Sequence, residues 1–303
     1  MVSPLILSLK KQPNLYGSKI KILSPAKINL YLNITGKYPK GFHRIESIVE
    51  RISLFDEISI EVKKSPQIII SSNVKSLETK ANLCFKAASL IKKEEKIKEG
   101  FSIHLEKKIP MGSGLGGGSS NAASTILAIK HLFKLKLTRP QLYSLGKKLG
   151  SDVNFFLSQS QFALLKGRGE EVTELKINRK FSHFIIWPNI HISTKKVYQA
   201  SRVKLTNFFN NVKILRYALK RNDASLIEKN IFNALEKRAI IVCKDLLKVK
   251  SFLGKLDMFS AMTGSGSAFY TFGQLRDKRN IKTSINLHKL VPTRWTVFKA
   301  HTF

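Results

Sequence analysis

The stretch best suited to chemistry is Pro110-Met111-Gly112-Ser113-Gly114-Leu115-Gly116-Gly117-Gly118-Ser119-Ser120-Asn121. Five glycines within seven positions remove the side chains that would keep backbone N–H groups from turning inward. A helix starting just after them adds partial positive charge, so the segment is suited to cradle a phosphate. Gly112, Gly114 and Gly117 satisfy G-x-G-x-x-G, but a dinucleotide loop wants an acidic residue ~20 positions on to hold a ribose hydroxyl. No Asp or Glu lies between Pro110 and Ser151. A Walker A loop fails as well, because no lysine follows Gly118. The plain alternative is a tight turn.

Asp152, in Leu149-Gly150-Ser151-Asp152-Val153-Asn154-Phe155-Phe156, is the first acid after that loop. It reads either as a helix cap that accepts backbone N–H bonds or as a general base for a substrate hydroxyl, with phenylalanines limiting competing water. Lys27 and Asn29 share one face of an alternating segment. A lysine there is either solvated or a point charge for a transferring phosphoryl group. Gly41-Phe42-His43 and Tyr198 offer stacking and hydrogen bonding, or simply core aromatics. Met262-Thr263-Gly264-Ser265-Gly266-Ser267 reads equally as a second anion nest and as a hairpin turn.

The elements that must position these groups follow from hydrophobic period. Strict alternation over Ile28–Ile34 predicts a strand with one polar face. Ile48–Leu54 and Ile58–Val62 repeat that period on either side of a predicted turn at Phe55-Asp56-Glu57, and Ile68–Ile70 adds a further strand, so a meander is expected. Helical spacing over Asn82–Lys93, alternation at Phe101, Ile103 and Leu105, and helix-start residues Ser119 and Ser120 place the glycine loop between a strand and a helix. A second helix is predicted from about Pro140 to a stop at Gly150, with Asp152 capping a short apolar segment. Strands follow at Phe162–Leu165 and His183–Trp187, helical spacing from Val212 to Leu256, and strand again from Met262 to Phe272. The first ~20 residues read as a loose lead-in.

With 303 residues and 43% hydrophobic side chains, the chain can bury one large core or two ordinary ones, which excludes a disordered tail protein. Two cysteines, Cys84 and Cys243, exclude a disulfide framework and a four-ligand zinc site, and a reducing compartment is expected. No apolar run approaches the roughly 18 to 20 residues of a membrane span, so a soluble, cytoplasmic protein without membrane partners is expected. The 53 basic against 20 acidic residues leave a net charge of +33. Nowhere do three basic residues stand together, so the surplus is either a lysine-rich coat or an aid to capturing anions, and nucleic acid is not the expected partner. A boundary near 170 to 180 gives an α+β chain of two parts, and the oligomeric state is not readable.

Taken in order, these residues resemble the GHMP kinase superfamily. The match runs through Pro25-Ala26-Lys27-Ile28-Asn29-Leu30, Gly36, Gly41-Phe42-His43, Leu54-Phe55-Asp56-Glu57, Asn82-Leu83, Pro110 to Ala123 and Leu149-Gly150-Ser151-Asp152. It goes on through Gly167-Arg168-Gly169-Glu170, Ser193-Thr194 to Tyr198, and Met262-Thr263-Gly264-Ser265-Gly266. The Pro-Ala-Lys-x-Asn-Leu start and the Gly-Phe-His element narrow it to the branch that phosphorylates the C2 hydroxyl of a cytidyl diphosphate substrate in the non-mevalonate isoprenoid pathway.

The resemblance implies a two-domain fold, an N-terminal domain over 1–174 similar to ribosomal protein S5 domain 2 and a ferredoxin-like C-terminal domain over 175–303. It implies ATP phosphates on Pro110, Met111, Gly112, Ser113, Gly114, Leu115, Gly116, Gly117, Gly118, Ser119 and Ser120, with Asn82 and Lys107 also at the nucleotide. Asp152 and Lys27 are the implied catalytic pair. Asn29, Phe42, His43, Thr194, Tyr198, Gly264 and Ser265 are the implied substrate contacts. Magnesium is expected with ATP, without an assigned protein ligand. The chain departs from the family at Phe42, usually tyrosine, Ser151, usually alanine, and Asn154, where proline is common.

Overall fold

The computed structural model describes residues 5–39, 42–200, 211–274, 287 and 289–303. Gly41, of the Gly-Phe-His element, lies outside them. The chain forms two compact units, one of Met1–Ala26, Phe55–Ile109 and Gly116–Gln159, the other of Lys27–Leu54, Pro110–Leu115 and Ser160–Phe303.

The first unit takes β1 (Ile6–Lys10), the start of β2 (Lys19–Lys37), the end of β3 (His43–Lys63), β4 (Ile68–Ser72), α1 (Leu83–Glu94), β5 (Gly100–Glu106), α2 (Gly117–Leu132), α3 (Arg139–Leu149) and α4 (Val153–Ser158). β1 pairs antiparallel with β2, β3 pairs antiparallel with β5 (Ile58 opposite Leu105, Val62 opposite Phe101), and β4 lies parallel on the far side of β5. Period-2 residues Ile58, Ile60 and Val62 and their partners Phe101, Ile103 and Leu105 are buried, as are Ala87 and Ile91 of α1 and Ile126 and Ile129 of α2. Burying each larger aliphatic or aromatic side chain contributes about 1.5–3 kcal/mol, so matched strand and helix periods suffice to dock α1 and α2 here. The cap of α1 is Asn82, and α3 opens with a Thr138–Gln141 capping box around Pro140 and stops at Gly150.

The second unit takes the rest of β2 and β3, then β6 (Phe162–Lys166), β7 (Glu171–Glu174), β8 (Phe181–Trp187), α5 (Thr194–Gln199), α6 (Asn211–Arg221), α7 (Ala224–Asn230), β9 (Phe232–Asn233), α8 (Glu236–Val242), α9 (Asp245–Lys255), β10 (Ala261–Met262), β11 (Phe269–Tyr270), β12 (Gly273–Gln274) and β13 (Thr296–His301). β6 pairs antiparallel with β3 and β7, and β9 runs parallel to β2. A second sheet is built on β8, which pairs with β11, β12 and β13. Its core gathers Leu32, Ile34, Ile186, Val197, Leu246, Leu253, Phe269 and Trp295.

Several expectations are corrected. Part of the lead-in forms β1, because a five-residue edge strand draws its order from pairing with β2 rather than from its own period; Leu23 N–H donates to the carbonyl of buried Leu5 at 2.8 Å. No turn interrupts β3 at Phe55-Asp56-Glu57, because the Asp56 side chain is satisfied inside the unit instead of solvated. The meander is broken where β5, not β4, pairs with β3. α2 starts at Gly117, two residues before Ser119, and β7 and β13 were not foreseen. Helical spacing over 212–256 resolves into four helices interrupted by β9. Among the described residues no helix is long and apolar enough to cross a membrane.

Candidate active site

In the glycine loop, Gly112, Gly114 and Gly116 hold φ of +63°, +80° and +73°. Alternate left-handed positions of this kind are disfavoured by about 1–2 kcal/mol for side-chain-bearing residues and turn backbone N–H groups toward one side. The loop delivers the chain to α2, whose cap is Gly116 and which has no side-chain cap bond. Its first-turn N–H groups and the positive end of its dipole therefore remain available to an anion. Pro110 and Met111 are half-buried, Leu115 is buried, and Ser113 Oγ donates to Pro110 O at 2.6 Å.

Two of the expected nucleotide residues serve the frame around this helix start. Lys107 Nζ contacts the buried Asp56 carboxylate at 2.8 and 3.1 Å, and burial lowers its pKa. Asp56 also accepts from the N–H groups of Lys108 and Ile109, both at 2.7 Å, and from Asn121 Nδ2 at 2.9 Å. A Cβ on Gly117 would stand 3.0 Å from Lys107 Nζ, so the lysine packs directly against the first residue of α2. Asn82 accepts from Cys84 N–H and donates to Leu77 O, both at 2.8 Å, which makes it a helix cap. Ser120 is buried and accepts from Ser24 Oγ at 2.8 Å, whereas Ser119 is half-exposed.

Asp152 occupies the cap position of α4, yet its side chain makes no capping bond. Its carboxylate therefore does not serve as the helix cap. A Cβ on Gly150 would meet Ser119 Oγ at 3.7 Å, so the segment leading to Asp152 lies beside the first turn of α2. Asn154 is buried with Oδ1 2.1 Å from where a Cβ on Gly146 would stand, which locks α4 to α3 without a proline.

In the second unit, Lys27 is not solvated. It is 3% exposed, its Nζ donates to Asn29 Oδ1 at 2.5 Å, and its N–H donates to Leu115 O at 3.0 Å. Asn29 is held on every side: Nδ2 donates to Ser47 Oγ at 2.9 Å, N–H donates to Thr263 Oγ1 at 3.1 Å, and its carbonyl accepts from Tyr270 OH at 2.9 Å. The second glycine cluster packs here. A Cβ on Gly264 (φ +55°) would lie 3.3 Å from Lys27 Nζ and 3.0 Å from Gly114 O, while one on Gly114 would lie 2.1 Å from Thr263 O. Thr194 Oγ1 and Ser265 Oγ are 2.8 Å apart. Lys27, Asn29, Thr194, Gly264 and Ser265 thus fall into linked pairs around one loop.

His43 and Tyr198 form a ring pair with centroids 4.9 Å apart. Burial, then Lys37 and Arg238, lower the His43 pKa from its usual 6.5, so the ring is neutral at pH 7. Its Nε2 is buried without a hydrogen-bond partner among the described residues, which leaves one polar position to be met by a ligand. Phe42 is 54% exposed, and the Arg168 guanidinium lies 5.1 Å from its ring centre. No cluster of three or more His, Cys, Asp or Glu among the described residues could cage a metal.

Sequence reasoning missed Ser47, Thr263, Tyr270 and Asp56. A polar residue on the inward face of an alternating strand was the available signal for Ser47 and Asp56; Thr263 stood inside the second glycine cluster without a role of its own, and Tyr270, which reaches the carbonyl of Asn29 241 residues away, left none.

Residues 82–160 match the GHMP kinases N terminal domain and residues 215–288 the GHMP kinases C terminal. A 4-diphosphocytidyl-2-C-methyl-D-erythritol kinase of Pseudoalteromonas translucida is 33% identical over 253 residues, 84% of each chain. One of Caldicellulosiruptor bescii is 34% identical over 268 residues, 86% of this chain and 91% of the relative. A crystal structure of 4-(cytidine 5'-diphospho)-2C-methyl-D-erythritol kinase superposes with a TM-score of 0.75 at 28% identity, covering 92% of this chain and 98% of that one. Homoserine kinase from Cytophaga hutchinsonii, at 17% identity and a TM-score of 0.70 over 94% of each chain, shares the fold alone. The chain belongs to the GHMP kinases and, within them, to the 4-diphosphocytidyl-2-C-methyl-D-erythritol kinase family.

Proposed function

We propose that the chain transfers the γ-phosphoryl group of ATP to the C2 hydroxyl of 4-diphosphocytidyl-2-C-methyl-D-erythritol, with Asp152 as general base. The observation that carries the assignment is the placement of Asp152 at a helix start, following a segment that lies beside the first turn of α2. As the C2 oxygen forms its bond to γ-phosphorus, Asp152 takes the hydroxyl proton and the bond to the bridging oxygen breaks to release ADP. Glycines 112 to 118 and Ser119 hold the ATP phosphates through N–H groups and the helix end. Lys27, its amine oriented by Asn29, stabilises charge on the transferring group.

His43 offers Nε2 to the cytosine, Tyr198 and Phe42 supply stacking surface, and Thr194, Gly264 and Ser265 meet the diphosphate. Asn82 and Lys107 serve the nucleotide indirectly, by fixing α1 and the start of α2. Magnesium brought with ATP would neutralise charge on the phosphates, and among the described residues no cluster of three or more His, Cys, Asp or Glu would cage it.

ADP release, measured with ATP plus the cytidyl diphosphate substrate, mevalonate or homoserine in turn, tests the reading. Turnover is expected with the first alone. Comparable turnover with mevalonate or homoserine would overturn it.

A further inference from the structure

Asn233 stands where β9 passes into α8, in Asn233-Ala234-Leu235-Glu236, and none of the roles above includes it. Its side chain is fully used. Nδ2 donates to Met262 O at 2.7 Å and to Gly264 O at 2.9 Å, and Oδ1 accepts from Leu235 N–H at 2.9 Å. Glu236, whose Oε1 is paired with Lys250, accepts from Met262 N–H through Oε2 at 3.0 Å. The polar groups of Met262 and the carbonyl of Gly264 are thereby tied to this one corner.

The opposite condition holds for the loop's donors. Among the described residues, the N–H groups of Gly264 and Ser265 have no hydrogen-bond acceptor, and Gly264 abuts Lys27 Nζ. A turn in which the carbonyls of Met262, Thr263 and Gly264 are occupied while the amides of Gly264 and Ser265 are open presents donors there, the condition for binding an anion. A free carbonyl turned to the same place would repel the anion and attract the lysine instead.

We propose that Asn233 is a positioning residue for anion recognition: without touching the substrate, it withdraws the carbonyls of Met262 and Gly264 so that the Gly264–Ser265 turn offers its N–H donors beside Lys27. This rests on the assignment of Gly264 and Ser265 to the substrate diphosphate. It also explains why an amide, and not another side chain of that size, stands at the end of β9. One amide nitrogen carries two N–H groups for two carbonyls while its oxygen caps the next turn.

Asn233→Asp is the discriminating variant, because it keeps the shape and the acceptor for Leu235 N–H but sets an oxygen against two carbonyl oxygens. The expected result is a KM for the cytidyl diphosphate substrate raised about tenfold or more, with kcat within about threefold and ATP affinity within about twofold of the parent. Hydrogen exchange of the amides from Gly264 to Ala268 is expected to quicken in the substrate-free protein. A folded variant with parental KM and parental loop exchange overturns the proposal. So does an equal loss of affinity for both substrates together with a lowered melting temperature, the mark of a merely structural residue. A parent protein that does not turn over the cytidyl substrate refutes the functional assignment, and the loop exchange, read without substrate, then still decides whether Asn233 sets the loop.

Discussion

The two glycine-rich segments of this chain have similar compositions and different anchors. In Gly112–Gly118 the backbone itself is shaped, through alternate left-handed glycines that run into a helix left open at its start. In Thr263–Ser267 the glycines at 264 and 266 are left-handed too, but the span joins two two-residue strands instead of entering a helix, and Asn233 and Glu236 hold it from outside. Glycine content alone could not distinguish an anion nest from a hairpin turn at the second segment. What separates them is where the carbonyls go, and that depends on a side chain about 30 residues earlier in the chain.

The comparison breaks most visibly at the first loop. Gly116→Val is expected to abolish ATP binding in a folded protein, since a β-branched residue resists φ +73° and would cover the helix start; parental affinity by calorimetry would make this loop structural. Next in size, Asp152→Asn is expected to lower kcat about 100-fold while leaving ATP affinity nearly unchanged, because an amide keeps the shape but cannot take the proton. Activity within about threefold of the parent would return Asp152 to a local structural role.

At the second loop the effect should be smaller and fall mainly on one substrate. Gly264→Ala strains a φ of +55° and brings a methyl group to Lys27 Nζ and Gly114 O. At about 1–2 kcal/mol of strain it should raise the KM for the cytidyl substrate roughly tenfold, with a smaller loss of ATP affinity through Gly114. An equal loss for ATP would mean that the two segments act as one.

The smallest effect is the pH response of His43. Its folded pKa is depressed, so the ring stays neutral as pH falls to 6.5 and takes its proton only at lower pH. The KM for the cytidyl substrate should be flat from pH 8 to 6.5 and rise about threefold or more below that, as the unpartnered Nε2 gains a proton. His43→Asn should remove the rise. The same protonation penalises the folded state, so any stability it carries is present above pH 6.5 and lost as pH falls through the folded value.

The strand, loop and helix order around Gly112–Gly118 was legible because each flank carries its own period: Phe101, Ile103 and Leu105 every second residue, then Ala122, Ile126 and Ile129 on one helix face. α3 was legible from Pro140 and Gly150, which act locally. Asp56 was misread for a physical reason. Beside Glu57 and between two apolar stretches it has the composition of a turn, and only contacts from Lys107 and Asn121, 51 and 65 residues away, make a buried carboxylate tolerable in mid-strand. Lys27 had the same ambiguity, since alternation says which face a residue takes but not whether another element covers it. β13 reveals itself through its pairing with β8, six residues long and without a local turn to announce it.

That Asp56 anchor also governs how nucleotide binding couples to folding. Because one carboxylate joins β3, the 107–109 segment and α2, the start of α2 cannot loosen without breaking the buried hydrogen bond from Asn121 to Asp56, so fraying of that helix end is not an independent, low-energy event. Ligand saturation at 100 times Kd is worth about 2.7 kcal/mol. Where a binding loop opens on its own, part of such a gain merely quiets the loop. Here it applies to cooperative unfolding of the unit that contains Asp56, and ATP should raise the melting temperature of that unit as a whole.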